Sequence, residues 1–181
     1  MANIAVFCWA RDTVDQHYID ASWDLGNLIA HKNHTLIYGW WIYGLMGWVY
    51  RGMNEKWGKI VGVIPWFLMK KERGDELALQ WVEVILTDTM DERKSILFDR
   101  SDVVIVWAGW VGTLDEFFEA WNLVKLSQKK HTIGILNTLW YYDYLIQFIE
   151  HMITEGFVDR QEFENISIAT TPEELFEKMK L

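Results

Sequence analysis

The chain has 181 residues, a formal net charge of −9 and a single cysteine, so one domain with a full core fits its length. The acidic balance argues against a broad nucleic-acid surface. The lone cysteine excludes an internal disulfide, and no run is long enough to read as a membrane span. With no basic leader at the N-terminus, the expectation is a soluble cytoplasmic protein.

Taken in chain order, residues 3–8 form a short apolar strand. Residues 15–32 have helical spacing at Tyr18, Ile19, Ser22, Trp23, Leu25, Ile29 and Ala30, broken by Asn33 and His34. Residues 35–38 make a second strand ended by Gly39. A turn through Trp40 and Trp41 then leads into a helix that runs to about Trp57. Residues 59–64 are a third strand closed by Pro65, 66–80 a charged, partly helical connection, and 82–86 a fourth strand. A helix over 89–100 has Thr89 or Asp88 as its cap. Residues 103–107 are a continuous apolar run, the pattern of a strand buried on both faces. A helix over 112–128, a strand over 132–136 and a helix over 141–155 ended by Gly156 follow. A short strand over 166–169 precedes a terminal helix opened by Pro172 and capped by Thr171.

Strands alternating with helices imply an α/β fold: a Rossmann-like three-layer sandwich, a mainly parallel sheet with helices on both faces, in one domain spanning 1–181. Ligands of such sheets bind beyond the carboxyl ends of the strands. That rule gives meaning to the 12 tryptophans. Trp23 and Trp121 lie on apolar helix faces and read as core. Trp9, Trp40, Trp41, Trp66, Trp107, Trp110 and Trp140 all follow or end a strand, which gathers them at one edge of the sheet; core packing is not expected to account for them. Trp48, Tyr50 and Trp57 give the helix after the second strand apolar bulk on more than one side, so it needs a neighbour in sheet or subunit.

The turn after the fifth strand carries Gly109 and Gly112 and opens a helix. Free amides and a positive helix end suit an anion there. Thr113 is placed to cap that helix, with Glu116 at capping-box spacing. The pair serves a purely structural cap equally well.

The stretch Ala108-Gly109-Trp110-Val111-Gly112-Thr113-Leu114-Asp115-Glu116 resembles the Pro-Gly-Gly-x-Gly-Thr-x-x-Glu signature of the LOG family, lysine decarboxylase-like proteins that are cytokinin riboside 5'-monophosphate phosphoribohydrolases. Gly109, Gly112, Thr113 and Glu116 agree, while Ala108 and Trp110 depart. A second signature, Tyr-Gly-Gly-Gly-x-x-Gly-Leu-Met-Gly, is matched by Tyr38, Gly39, Gly44, Leu45, Met46 and Gly47, with Trp40 and Trp41 at two glycine positions. Met90, Arg93 and Lys94 resemble the family's Met-x-x-Arg-Lys. Trp9 replaces a glycine after Cys8, Trp66 stands where a basic residue is common, and Trp140 where Gly precedes two tyrosines.

The resemblance implies hydrolysis of the N-glycosidic bond of a nucleoside 5'-monophosphate. Glu116 is the carboxylate, Arg93 with Lys94 the cationic side, and Gly109, Gly112, Thr113, Gly44 and Met46 the nucleotide-binding set. It also implies a homodimer; no cofactor is expected. The departures concentrate on the crevice while scaffold positions agree. The expectation is therefore an engineered or remodelled member whose crevice, rebuilt in tryptophan, binds an aromatic or nucleotide-like small molecule, or a protein partner, with native activity lost. Retained hydrolysis is the alternative. A third reading is an installed general base, Glu116 or Asp12 desolvated by indoles, or a Cys8 nucleophile with a histidine partner; a buried structural role for Cys8 is favoured. The histidines at 17, 31, 34, 131 and 151 show no spacing that singles one out, and no His/Cys cluster has metal-ligand spacing.

Overall fold

The computed structural model describes residues 1–10, 14–69 and 82–181. A seven-stranded, all-parallel sheet runs β4-β3-β2-β1-β5-β6-β7, formed by β1 (Asn3–Phe7), β2 (Thr35–Tyr38), β3 (Ile60–Pro65), β4 (Val82–Thr87), β5 (Val103–Val106), β6 (Thr132–Leu136) and β7 (Ser167–Ala169). The helices between them are α1 (Gln16–His31), α2 (Gly44–Glu55), α3 (Trp66–Met69), α4 (Met90–Asp99), α5 (Val111–Lys125), α6 (Asp143–Thr154), α7 (Arg160–Glu164) and α8 (Pro172–Met179). This is the expected Rossmann-like α/β class. No helix among the described residues is long and apolar enough to cross a membrane.

Side chains alternate across each strand, and that alternation divides the core in two. Ile4 and Val6 of β1 face a layer with Leu25, Ile29, Val49, Met53 and Leu175, from α1, α2 and α8. Ala5 and Phe7 face the opposite layer with Leu97, Phe98, Phe117, Trp121 and Ile149, from α4, α5 and α6. The central strands are apolar on both faces because both are covered.

Helix starts follow the sequence in two cases. Thr89 Oγ1 accepts from Glu92 N–H at 3.1 Å and Thr171 Oγ1 from Glu174 N–H at 3.2 Å. Each glutamate reaches back to an amide before its helix, that of Asp88 or Thr170, completing a box of the capping type. The expected Thr113 cap is corrected. Helix α5 starts two residues before Thr113, at Val111, with Trp110 as an N-cap that makes no side-chain bond, and Thr113 is buried in its first turn. The helix expected over 141–155 begins later, because Leu139 and Trp140 both adopt positive φ in a one-turn 3-10 element (Thr138–Trp140). Helix α7 was not expected from the sequence; its five residues are too few to display an apolar period. Most of the connection expected over 66–80 lies outside the described residues.

Candidate functional site

The chain leaves β1 towards β2 on one side, while β5 pairs with β1 on the other. This is the switch point of the sheet, and a crevice opens at its carboxyl edge. The amino ends of α2 and α5 flank it.

One side of the crevice carries a buried ion pair. Arg93 projects from α4 and Glu116 from the second turn of α5, with Nη1 and Oε1 3.9 Å apart and side chains 12% and 15% exposed. Arg93 Nε donates to the carbonyl of Val63 at 3.2 Å and Nη2 to that of Gly39 at 3.4 Å, which ties the guanidinium to the ends of β3 and β2. A Cβ on Gly39 would lie 1.8 Å from Nη2, so only glycine leaves room for the arginine. Burial pushes the Glu116 carboxyl up to about 7, a rise that the nearby charges of Arg93 and Lys94 offset only in part. A carboxyl poised near neutrality exchanges protons readily at working pH.

Lys94, grouped with Arg93 on the cationic side, bonds the carboxylates that flank Glu116 on α5 rather than Glu116 itself. Its ammonium binds Glu119 at 2.6 Å and Asp115 at 3.0 Å, and these partners raise it to about 12. Neighbouring residues on a helix face different directions, so Arg93 and Lys94 do not reach one point. Burial, and then the Glu116 charge, drive the Cys8 thiol well above its usual range, which leaves it a neutral buried thiol rather than a nucleophile. Asp12 lies outside the described residues. No group of three or more potential metal ligands occurs among the described residues.

The other side of the crevice is built from backbone. The amides of Val111, Gly112 and Thr113 precede the first bond of α5, which Leu114 N–H donates to Trp110 C=O at 3.1 Å. Thr113 packs directly beneath Gly109; a Cβ there would meet its hydroxyl oxygen at 2.1 Å. The turn is held from outside by two tyrosines to which the sequence reading gave no role. Tyr141 donates to Gly109 C=O at 2.5 Å and Tyr142 to Trp107 C=O at 2.9 Å. The adjacent tyrosines after β6 were the available signal. In the second loop, Gly44 turns into α2 at φ +61°, and the Met46 amide donates to Trp9 C=O at 3.3 Å.

The tryptophans do not form one cluster. The expectation that core packing fails for them is corrected for Trp107, which is fully buried with Nε1 donating to Ser22 Oγ at 2.7 Å, and for Trp40, which folds inward onto Gly62. Both backbones stand at the sheet edge, but both side chains turn into the layer of α1 and α2. Trp41 is half-buried, its Nε1 donating to Ala10 C=O at 2.7 Å. Trp66 is exposed beside Phe67, and Trp140 is exposed at the start of the α6 connection. Trp9 and Trp110 meet edge to face, with centroids 5.5 Å apart. With Tyr18, Leu45, Gly109 and Tyr141 they wall a cavity of about 250 Å³.

Fold and site together define a parallel α/β protein with a ligand crevice at the sheet switch point. The chain belongs to the family described as "possible lysine decarboxylase", whose profile matches residues 46–179. It is 34% identical over 178 residues to a cytokinin riboside 5'-monophosphate phosphoribohydrolase of Arabidopsis thaliana, covering 98% of this chain and 81% of that one. It is also 34% identical over 166 residues to the enzyme of that name from Mycobacterium tuberculosis, covering 92% and 87%. Among solved structures, the fold is similar to a molybdenum cofactor binding protein of Rippkaea orientalis, with TM-score 0.69, 22% identity and coverage of 98% and 94%. A molybdenum cofactor carrier protein of Chlamydomonas reinhardtii also has TM-score 0.69, with 18% identity and coverage of 98% and 95%.

Proposed function

We propose that this chain hydrolyses the N-glycosidic bond of a nucleoside 5'-monophosphate, releasing the free base and ribose 5-phosphate. The observation that carries the reading is the buried Arg93–Glu116 pair at the switch-point crevice. Breaking the bond leaves positive charge on the ribose and negative charge on the departing base. Glu116, as a carboxylate, faces the ribose and takes a proton from the attacking water, whose hydroxyl joins the ribose carbon; Arg93 offsets the charge that builds on the base, and the proton held by Glu116 passes to the departing base, which restores the carboxylate. The amino end of α5, with Gly109, Gly112 and Thr113, holds the phosphate. The names of the relatives at about one-third identity support the same chemistry. Assay of free adenine from adenosine 5'-monophosphate tests it: Glu116→Gln lowers release by about 10²–10⁴-fold while circular dichroism stays unchanged. Equal release by the variant rejects it.

A second reading rests on the cavity between Trp9 and Trp110: a flat apolar ligand held there without turnover. It predicts saturable quenching of tryptophan fluorescence by flat aromatics and no base release. A remodelled crevice belongs to this second reading and gains nothing from the kinship with hydrolases.

A further inference from the structure

Two physical settings stand out among the described tryptophans. Trp107 and Trp121 are placed as indoles should be. Trp107 is sealed in the core with its N–H bonded to Ser22, and Trp121 is buried and stacked on Phe118. The second setting is backbone that disfavours any bulky side chain. Trp40, Trp57 and Trp140 have φ of +64°, +55° and +57°. They are three of the seven described non-glycine residues with positive φ. The left-handed region is glycine's; Asn and Asp tolerate it, while a bulky residue there is an outlier.

Trp57 makes the case most plainly. It follows the C-cap of α2, its own N–H donating to Asn54 C=O at 3.1 Å and Gly58 N–H to Met53 C=O at 3.0 Å. That double closure is the Schellman motif, and its left-handed residue is usually glycine. Trp57 is 78% exposed, so the strain is not one that core burial offsets. Trp140, 66% exposed, repeats the pattern in the 3-10 turn. Trp40 is buried, but its ring lies where a Cβ on Gly62 would come within 2.1 Å of it. Trp110 projects 63% exposed from the amino end of α5. Trp9, Trp40, Trp41, Trp110 and Trp140 are also the positions at which the signatures quoted above have glycine.

One amino acid in two such different settings points to two codons. Tryptophan is encoded by UGG; UGA is a stop in the standard code, tryptophan in some other codes and glycine in others. We propose that Trp9, Trp40, Trp41, Trp57, Trp110 and Trp140 are glycines in the chain that its own cell makes, specified by UGA codons read there as glycine. Trp107 and Trp121 remain tryptophan, specified by UGG. The six glycines relieve the left-handed strain at 40, 57 and 140. They also remove the indoles from the turns after β1, β2 and β5, so that the backbone around the amino end of α5 is open to a phosphate monoester. This last consequence rests on the hydrolase reading; the codon assignment does not.

The test is the codon at each position, together with mass spectrometry of peptides from the protein purified from the cells that carry the gene. UGA at the six positions, UGG at 107 and 121, and peptide masses of glycine at the six are expected. UGG at 40, 57 and 140, or tryptophan-bearing peptides covering them, overturns the proposal. As a physical check, a chain made with glycine at 57 and 140, where positive φ meets an exposed residue, should melt at a higher temperature than one made with tryptophan there. A lower melting temperature from a folded chain also counts against it. Neither measurement depends on activity, so failure of the hydrolase reading leaves both outcomes interpretable.

Discussion

The two sides of the crevice are made of different material. On the β2–β3 side the working groups are side chains, Arg93 and Glu116, and the strand ends hold the arginine in place through the carbonyls of Gly39 and Val63. On the β1–β5 side the working groups are amides at the start of α5, and the tyrosines behind them brace the turn. Side-chain chemistry tolerates changes in the neighbouring loops so long as the supporting strands keep their register. Backbone chemistry does not, because any large side chain on the turn stands between the amide and its ligand. Trp9 and Trp110 therefore bear on the anion side, whereas Trp40 and Trp41 follow β2 on the side of the ion pair.

The largest expected effect falls on the side-chain half. Glu116→Gln should lower base release by about 10²–10⁴-fold, the usual worth of a positioned acid–base group. Arg93→Met should follow closely, with a milder cost in stability than an exchange of a fixed charge, because Glu116 answers the loss by holding its proton. A pH titration of release in the Arg93 variant should show the Glu116 limb shifted upwards; an unmoved limb breaks the assignment.

The pH dependence of stability sharpens the same half. The Glu116 carboxyl rises from 4.5 in the reference state to about 7 in the fold. The folded state thus binds more protons than the unfolded state between those values. Its contribution to stability is fully present below about 4.5 and is lost as pH rises towards 7. Buried His131 and His34 are shifted downwards by desolvation, so their contribution has the opposite slope, lost as pH falls below 6.5. The difference between the parent chain and Glu116→Gln in urea unfolding at a series of pH values isolates the Glu116 slope.

Smaller effects belong to the backbone half. Tyr141→Phe removes the bond to Gly109 and should cost about 0.5–1.5 kcal/mol. It should raise KM for the phosphorylated substrate more than it lowers kcat; the reverse would place Tyr141 in the chemistry. Trp57→Gly lies away from the crevice and should stabilise the chain by about 1 kcal/mol while leaving turnover unchanged.

The layered fold was legible because the apolar runs at 103–107 and 132–136 and the periodic stretch at 15–32 each match one period and one length. Arg93 and Glu116 were reachable through the resemblance alone; nothing in their own spacing brings α4 beside α5. That Lys94 bonds Asp115 and Glu119 rather than Glu116 was hidden because adjacency in sequence conceals the turn of the helix. Trp107 and Trp40 were misjudged because a position at a strand end tells where the backbone stands, whereas burial depends on which layer the side chain enters. The start of α5 at Val111 was hidden because Thr113 and Glu116 mimic a capping box without forming one.

The most direct measurement is the yield of free adenine and ribose 5-phosphate from adenosine 5'-monophosphate. It should be made with the chain carrying glycine at 9, 40, 41, 57, 110 and 140, beside the same chain with Glu116→Gln. Equal molar release of both products, lost in the Gln variant, is the predicted result. No release from a folded chain, or release indifferent to Glu116→Gln, would contradict the account.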